Sequence, residues 1–181
     1  EGTEDSKIVS TLAKKSYTNY VGNTKGEEIA DYSFNFKGDA GKEKITTTTI
    51  YFYGASLRAS DDGVNSESAM IASSTYNNDH ALSVYTDKTD LKTRTHYTGA
   101  KSEEIADYSQ NFKLDGTIKD TTIYSYAGDA LDYTTTYIEG SEDSKVVSAL
   151  AKKSFTNYVG NSKGEEIADY SFNFKGDAGK E

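Results

Sequence analysis

Cysteine and proline are both missing from this chain of 181 residues. Without cysteine there are no disulfides and no thiolate metal sites, and the redox compartment stays open. Without proline nothing interrupts a ladder of backbone hydrogen bonds, the usage expected of central β-strands. Basic charge is also short, with 20 Lys and Arg against 29 Asp and Glu and a net charge of −9. Nucleic-acid binding needs a basic footprint that displaces counterions, and docking on an anionic membrane needs the same sign, so neither partner is expected. No apolar run approaches the ~18 residues of a spanning helix, so no membrane span is expected.

Leu, Ile, Val and Phe are sparse, and apolar residues make up only 35 % of the chain. What is present instead is tyrosine, 15 of them, and abundant threonine. Both suit a pleated, half-buried surface and point to β structure. A disordered chain would lack these aromatic and β-branched residues.

The chain repeats itself. Glu1–Glu43 aligns without a gap with Glu139–Glu181, at an offset of 138 residues. Only Thr3/Ser141, Ile8/Val146, Thr11/Ala149, Tyr17/Phe155 and Thr24/Ser162 differ, each swap keeping size or character. A shorter copy breaks this period, because Lys25–Lys37 recurs as Lys101–Lys113 and again as Lys163–Lys175. One continuous array over 1–181 is expected, with half-repeats beginning near 25, 101 and 163. The repeat pattern stops at Glu181 before the strand that follows Glu43, which makes the chain read as a window on a longer array.

Alternation places the strands. In Ile29–Phe36, Tyr32, Phe34 and Phe36 alternate with Asp31, Ser33 and Asn35. Gly38–Glu43 supplies a turn. Lys44–Gly54 returns, with Thr47, Thr49, Tyr51 and Tyr53 on one face and Thr46, Thr48, Ile50 and Phe52 on the other. Antiparallel hairpins are the natural join, since parallel pairing needs a long crossover. Leu131–Ile138 is a further strand after a turn at Ala127–Asp129. Thr3–Lys15 fits helix or strand, and its strand neighbours favour strand. Ser60–Ser74 reads as an inserted loop with a helical turn at Glu67–Ser73.

The run "YSYAGDALDYTTTYIEG" at Tyr124–Gly140 gives Y-x-Y, a short turn, Leu, a Thr-rich strand and Gly. It resembles the YD repeat of Rhs-type proteins and teneurins. That resemblance implies antiparallel hairpins wound into a continuous β-sheet spiral, often an extracellular shell around an effector. The chain departs from the family pattern at Tyr126-Ala127 and Tyr53-Gly54, where the Tyr-Asp pair is absent.

Chemistry is thinly represented. The pair Glu27-Glu28 recurs as Glu103-Glu104 and Glu165-Glu166, as structural residues do and a catalytic pair does not. Neighbours in a strand also point to opposite faces. His96 fills the slot of Asn19 and Asn157, and His80 has only Asp79 beside it, so neither reads as a metal ligand. Asp61, Asn65 and Glu67 lack the order of a calcium loop and read as a solvated turn. No enzyme activity, cofactor or metal is expected.

The expectation is therefore an all-β array of tandem antiparallel hairpins, forming an extended ribbon, spiral or solenoid-like structure. Its packing residues would be Tyr32, Phe34 and Phe36, then Ile50, Tyr51, Phe52 and Tyr53, then Tyr108 and Phe112 with Tyr124 and Tyr126, and finally Tyr170, Phe172 and Phe174. The expected role is structural, in an extracellular fibre, filament or surface layer that self-associates through identical or adjacent repeats. An adhesin or glycan-binding module using exposed tyrosines is the alternative, and an Rhs-like shell the third.

Overall fold

The computed structural model describes residues 12–175, which form eleven antiparallel β-strands in one open sheet and contain no helix. The strands are β1 (Ser16–Val21), β2 (Ile29–Lys37), β3 (Lys44–Tyr53), β4 (Leu57–Arg58), β5 (Met70–Asn77) and β6 (Leu91–Thr98). They continue as β7 (Ile105–Phe112), β8 (Ile118–Ala127), β9 (Ala130–Ile138), β10 (Lys152–Val159) and β11 (Ile167–Asn173). Each long strand pairs with the next in sequence, and the short β4 folds back on β3. The strand order is thus the simplest one available to a chain whose turns are all short or irregular.

Sequence repeats fall on equivalent strands. β1, β6 and β10 carry the Thr-x-Tyr pattern, while β2, β7 and β11 carry Ile-Ala-Asp-Tyr-Ser. Each of these three pairs has a bulge at the same place, between Asn19/Tyr20, His96/Tyr97 and Asn157/Tyr158. The extra residue is the Asp of the motif, namely Asp31, Asp107 or Asp169. A bulge releases a side chain from the pleat, and two of these carboxylates use that freedom to take a cation, one from the short strand β4 and one from an irregular segment. Asp31 pairs with Arg58, and Asp107 accepts Lys145 Nζ at 2.9 Å.

The sheet has two unlike faces. On the aromatic face the register lines up Phe34, Thr48 and Tyr76 in one row, and Tyr32, Ile50, Ser74, Arg94 and Gln110 in another. Its centre is a core of Ile50, Phe52, Ala72, Tyr76, Leu91, Phe112 and Ile118. Two irregular straps cross that face: residues 78–90, whose Tyr85 packs on the core, and residues 139–151, held by Arg94 and Gln110. The other face is lined by hydroxyls, and its one apolar island joins Ile29, Tyr53 and Ala59 to Val21, Val64 and Met70.

Three expectations need correcting. Of Thr3–Lys15, residues 3–11 lie outside the described residues and residues 12–15 are not strand; in its near-copy Ser141–Lys153 only Lys152 and Lys153 are strand. The rest is strap, because Gln110 captures its backbone before it can pair. No helical turn forms at Glu67–Ser73: β5 begins at Met70, whose partner Tyr53 draws it into the sheet. The Glu pairs sit in turns ahead of β2, β7 and β11 and not within strands.

Candidate functional site

The sequence motifs make the same contacts in successive repeats. Two hydroxyl contacts recur on the polar face: Ser33 to Tyr51 and Ser109 to Tyr124, both at 3.2 Å. Thr49 to Thr75 and Thr122 to Thr136 repeat likewise at 2.9 Å. Tyr53 and Tyr126 each reach back and donate their hydroxyl to a carbonyl at the neighbouring bulge, Ala30 at 2.7 Å and Ala106 at 2.8 Å. Cross-strand polar pairs of this kind fix register more than they add stability. Burial pushes the Tyr53 hydroxyl pKa well up, with help from the neighbouring Tyr51 and Asp31.

The second Glu of each pair is a latch. Glu104 Oε1 accepts the Met70 amide at 3.1 Å, and Glu166 Oε1 accepts the Leu131 amide at 2.8 Å. Met70 and Leu131 hold the same register position, opposite Tyr53 and Tyr126. With the strands grouped as β1–β5, β6–β9 and β10 onward (four long strands to a half-repeat), each carboxylate therefore satisfies an amide at or next to the start of the last strand of the group before it. Hydrogen bonds from the amides of Leu131, Glu166 itself and Gly164 hold the Glu166 pKa below the ordinary carboxylate range.

The aromatic face carries a single-copy polar cluster. Arg94 is fully buried, with Nε on Ser74 Oγ at 3.0 Å and NH1 on Asp143 Oδ1 at 3.2 Å. It also donates to the Tyr85 carbonyl, and its guanidinium lies 4.2 Å from the Tyr85 ring centre. His96 stacks on Tyr108 at 4.2 Å, with Nε2 only 3.3 Å from Asp143 Oδ1 but outside hydrogen-bond geometry. Burial alone would raise the Asp143 carboxyl, but His96 and Arg94 outweigh it and hold its pKa at about 2. Gln110 clamps the second strap, donating to Ser141 O at 2.8 Å and accepting the Asp143 amide at 3.1 Å. Gly140 is required there, since its φ is +151° and a Cβ would stand 2.2 Å from Thr121 Oγ1. Lys88 and Glu142 tie the two straps together.

This cluster was missed in the sequence, although the signal was present. By register, Arg94 and Gln110 replace Tyr17 and Phe34, and equally Phe155 and Phe172. The middle copy trades an aromatic pair for a hydrogen-bonding pair where a strap crosses it. Elsewhere the rings are bare: Tyr17, Tyr170 and Phe172 are 46 %, 46 % and 56 % exposed. Tyr32, Phe34 and Phe36 form one tilted row, as do Phe155, Tyr170 and Phe172.

The other residues singled out in the sequence divide between the faces. Ile50, Phe52, Tyr108 and Phe112 are buried on the aromatic face, and Tyr53 is buried on the other. Tyr51, Tyr124 and Tyr126 are half-buried on the hydroxyl face, and Phe174, just past β11, is half-buried beside the Lys152 ammonium. His80 stacks on Tyr76 at 4.0 Å, its Nε2 3.2 Å from Asp87. Among the described residues no group of three His, Cys, Asp or Glu could hold a metal ion, and no helix could cross a membrane. A cleft of about 450 Å³ with a mixed lining of Thr98, Gly99, Ser102, Glu103, Ile105, Asp129 and Lys163 separates the turns of successive half-repeats. No family model, curated protein or solved structure matches this chain.

Proposed function

We propose that the chain is a structural repeat segment that builds an extended β-sheet fibre, filament or surface layer by stacking four-strand half-repeats side by side. The observation that carries this reading is the Glu latch. A contact that joins one half-repeat to the one before it, made by the same motif residue at the same register position, serves growth of an array. The recurring hydroxyl pairs and bulge contacts support the same reading, since they give each unit the same internal register, and Ser73 to Tyr97 at 3.1 Å adds such a pair between units, across β5 and β6. Acidic charge of −9 would keep neighbouring sheets apart laterally. The extracellular setting is part of the proposal and rests on the resemblance to YD repeats.

Electron microscopy of a chain carrying several 138-residue periods tests it. Elongated particles of uniform width are expected, and uniformly compact particles would overturn it. A second reading, a glycan-binding surface, is favoured by the exposed rings of Tyr17, Tyr170 and Phe172. It does not extend to Tyr53, which is buried with its hydroxyl committed to Ala30.

A further inference from the structure

β1 and β10 are the same strand in two settings. β10 has a strand on each side, with Ser154, Phe155, Thr156 and Asn157 facing Thr136, Thr135, Thr134 and Tyr133 of β9. Among the described residues β1 pairs with β2 alone, and its Ser16, Tyr17, Thr18 and Asn19 repeat the β10 sequence with one Phe-to-Tyr change. The surroundings differ accordingly: Tyr20 is 60 % exposed, whereas its counterpart Tyr158, beside β9, is half-buried.

At this edge Glu28 makes the same local hydrogen bond as Glu166, and among the described residues no preceding strand meets it. Glu28 Oε2 accepts the Gly26 amide at 2.7 Å, as Glu166 Oε2 accepts the Gly164 amide at 2.7 Å. Glu166 then offers Oε1 to Leu131. Glu28 holds the same local hydrogen bond, so by analogy with Glu166 its Oε1 is the atom that would meet a preceding strand. An open edge beside a preset acceptor is a template for strand addition.

We propose that the outer edge of β1, together with Glu28 Oε1, is an acceptor site for one kind of strand: a strand of the β9 sequence carried by a neighbouring repeat unit. It docks antiparallel, with the equivalents of Tyr133, Thr134, Thr135 and Thr136 opposite Asn19, Thr18, Tyr17 and Ser16. Its Leu131-equivalent amide donates to Glu28. The choice of occupant rests on continuity with the β9–β10 junction, which presents the same residues in the same register. It deepens the stacking reading above by naming the strand recognised and the atom that reads its start.

The test uses the whole chain and an acetylated, amidated peptide of the sequence Asp129–Ile138. Hydrogen–deuterium exchange should show saturable protection of β1 amides and none along β11, and a scrambled peptide should give no protection. Glu28→Gln should weaken binding about tenfold or more, because one carboxylate oxygen becomes an amide donor facing the peptide N–H. A peptide N-methylated at the Leu131 position should lose as much, and combining the two changes should add little. Unchanged exchange in β2 and β3 checks that Glu28→Gln still folds. Protection on β11, no protection on β1, or full affinity with Glu28→Gln would each overturn the site. The two proposals fail separately. A docked peptide with compact multi-period chains defeats the fibre reading alone, and filaments without protection of β1 defeat this assignment alone.

Discussion

Single residues here act by departing from the repeat. Arg94, His96 and Gln110 stand where the sister copies have Tyr or Phe, Asn and Phe, and together they receive the strap through Asp143. A depressed carboxyl pKa contributes stability that is full above its unfolded value and disappears as pH falls through its folded value. For Asp143 the window runs from its ordinary 3.8 down to about 2. The side chain is 35 % exposed, so solvent screening leaves roughly 1 kcal/mol of the effect. Denaturant titrations should show the wild type losing that much more than Asp143→Asn between pH 4 and 2, and parallel curves would refute it.

At the level of strands and turns, alternation made most of the architecture readable. The faces of Lys44–Gly54 were set by period two, and in the even-numbered row Thr48, Ile50 and Phe52 are fully buried while Thr46 is exposed. Elements governed by distant partners could not be read in this way. Strap 139–151 has the local pattern of a strand or helix, but the side chain of Gln110, 29 residues or more before it, decides its path. Met70 joins β5 because Tyr53 sits opposite, a choice invisible in the Glu67–Ser73 composition. The recurrence of the Glu pair was legible, but the hydrogen bond made by its second member emerged only with Met70 and Leu131 in place. Removing that latch should cost about 1 kcal/mol, the worth of one hydrogen bond. Glu104→Ala is expected to speed exchange of the Met70 amide while leaving β8 and β9 unchanged, and uniform acceleration across the sheet would contradict a local latch.

Across the whole molecule, polarity is divided by face and the sequence repeat is divided by strand group. The hydroxyl face fixes register, the aromatic face packs under straps, and β1 and β10 occupy equivalent places in the strand order. These two strands stand eight steps apart, or about 38 Å at the ~4.8 Å spacing of paired strands. Small-angle X-ray scattering of chains with one, two and three 138-residue periods tests side-by-side stacking most directly. A maximum dimension that rises by the same increment for each added period, up to about 38 Å, is the predicted result. A dimension that levels off toward the cube-root growth of a compact globule would contradict it.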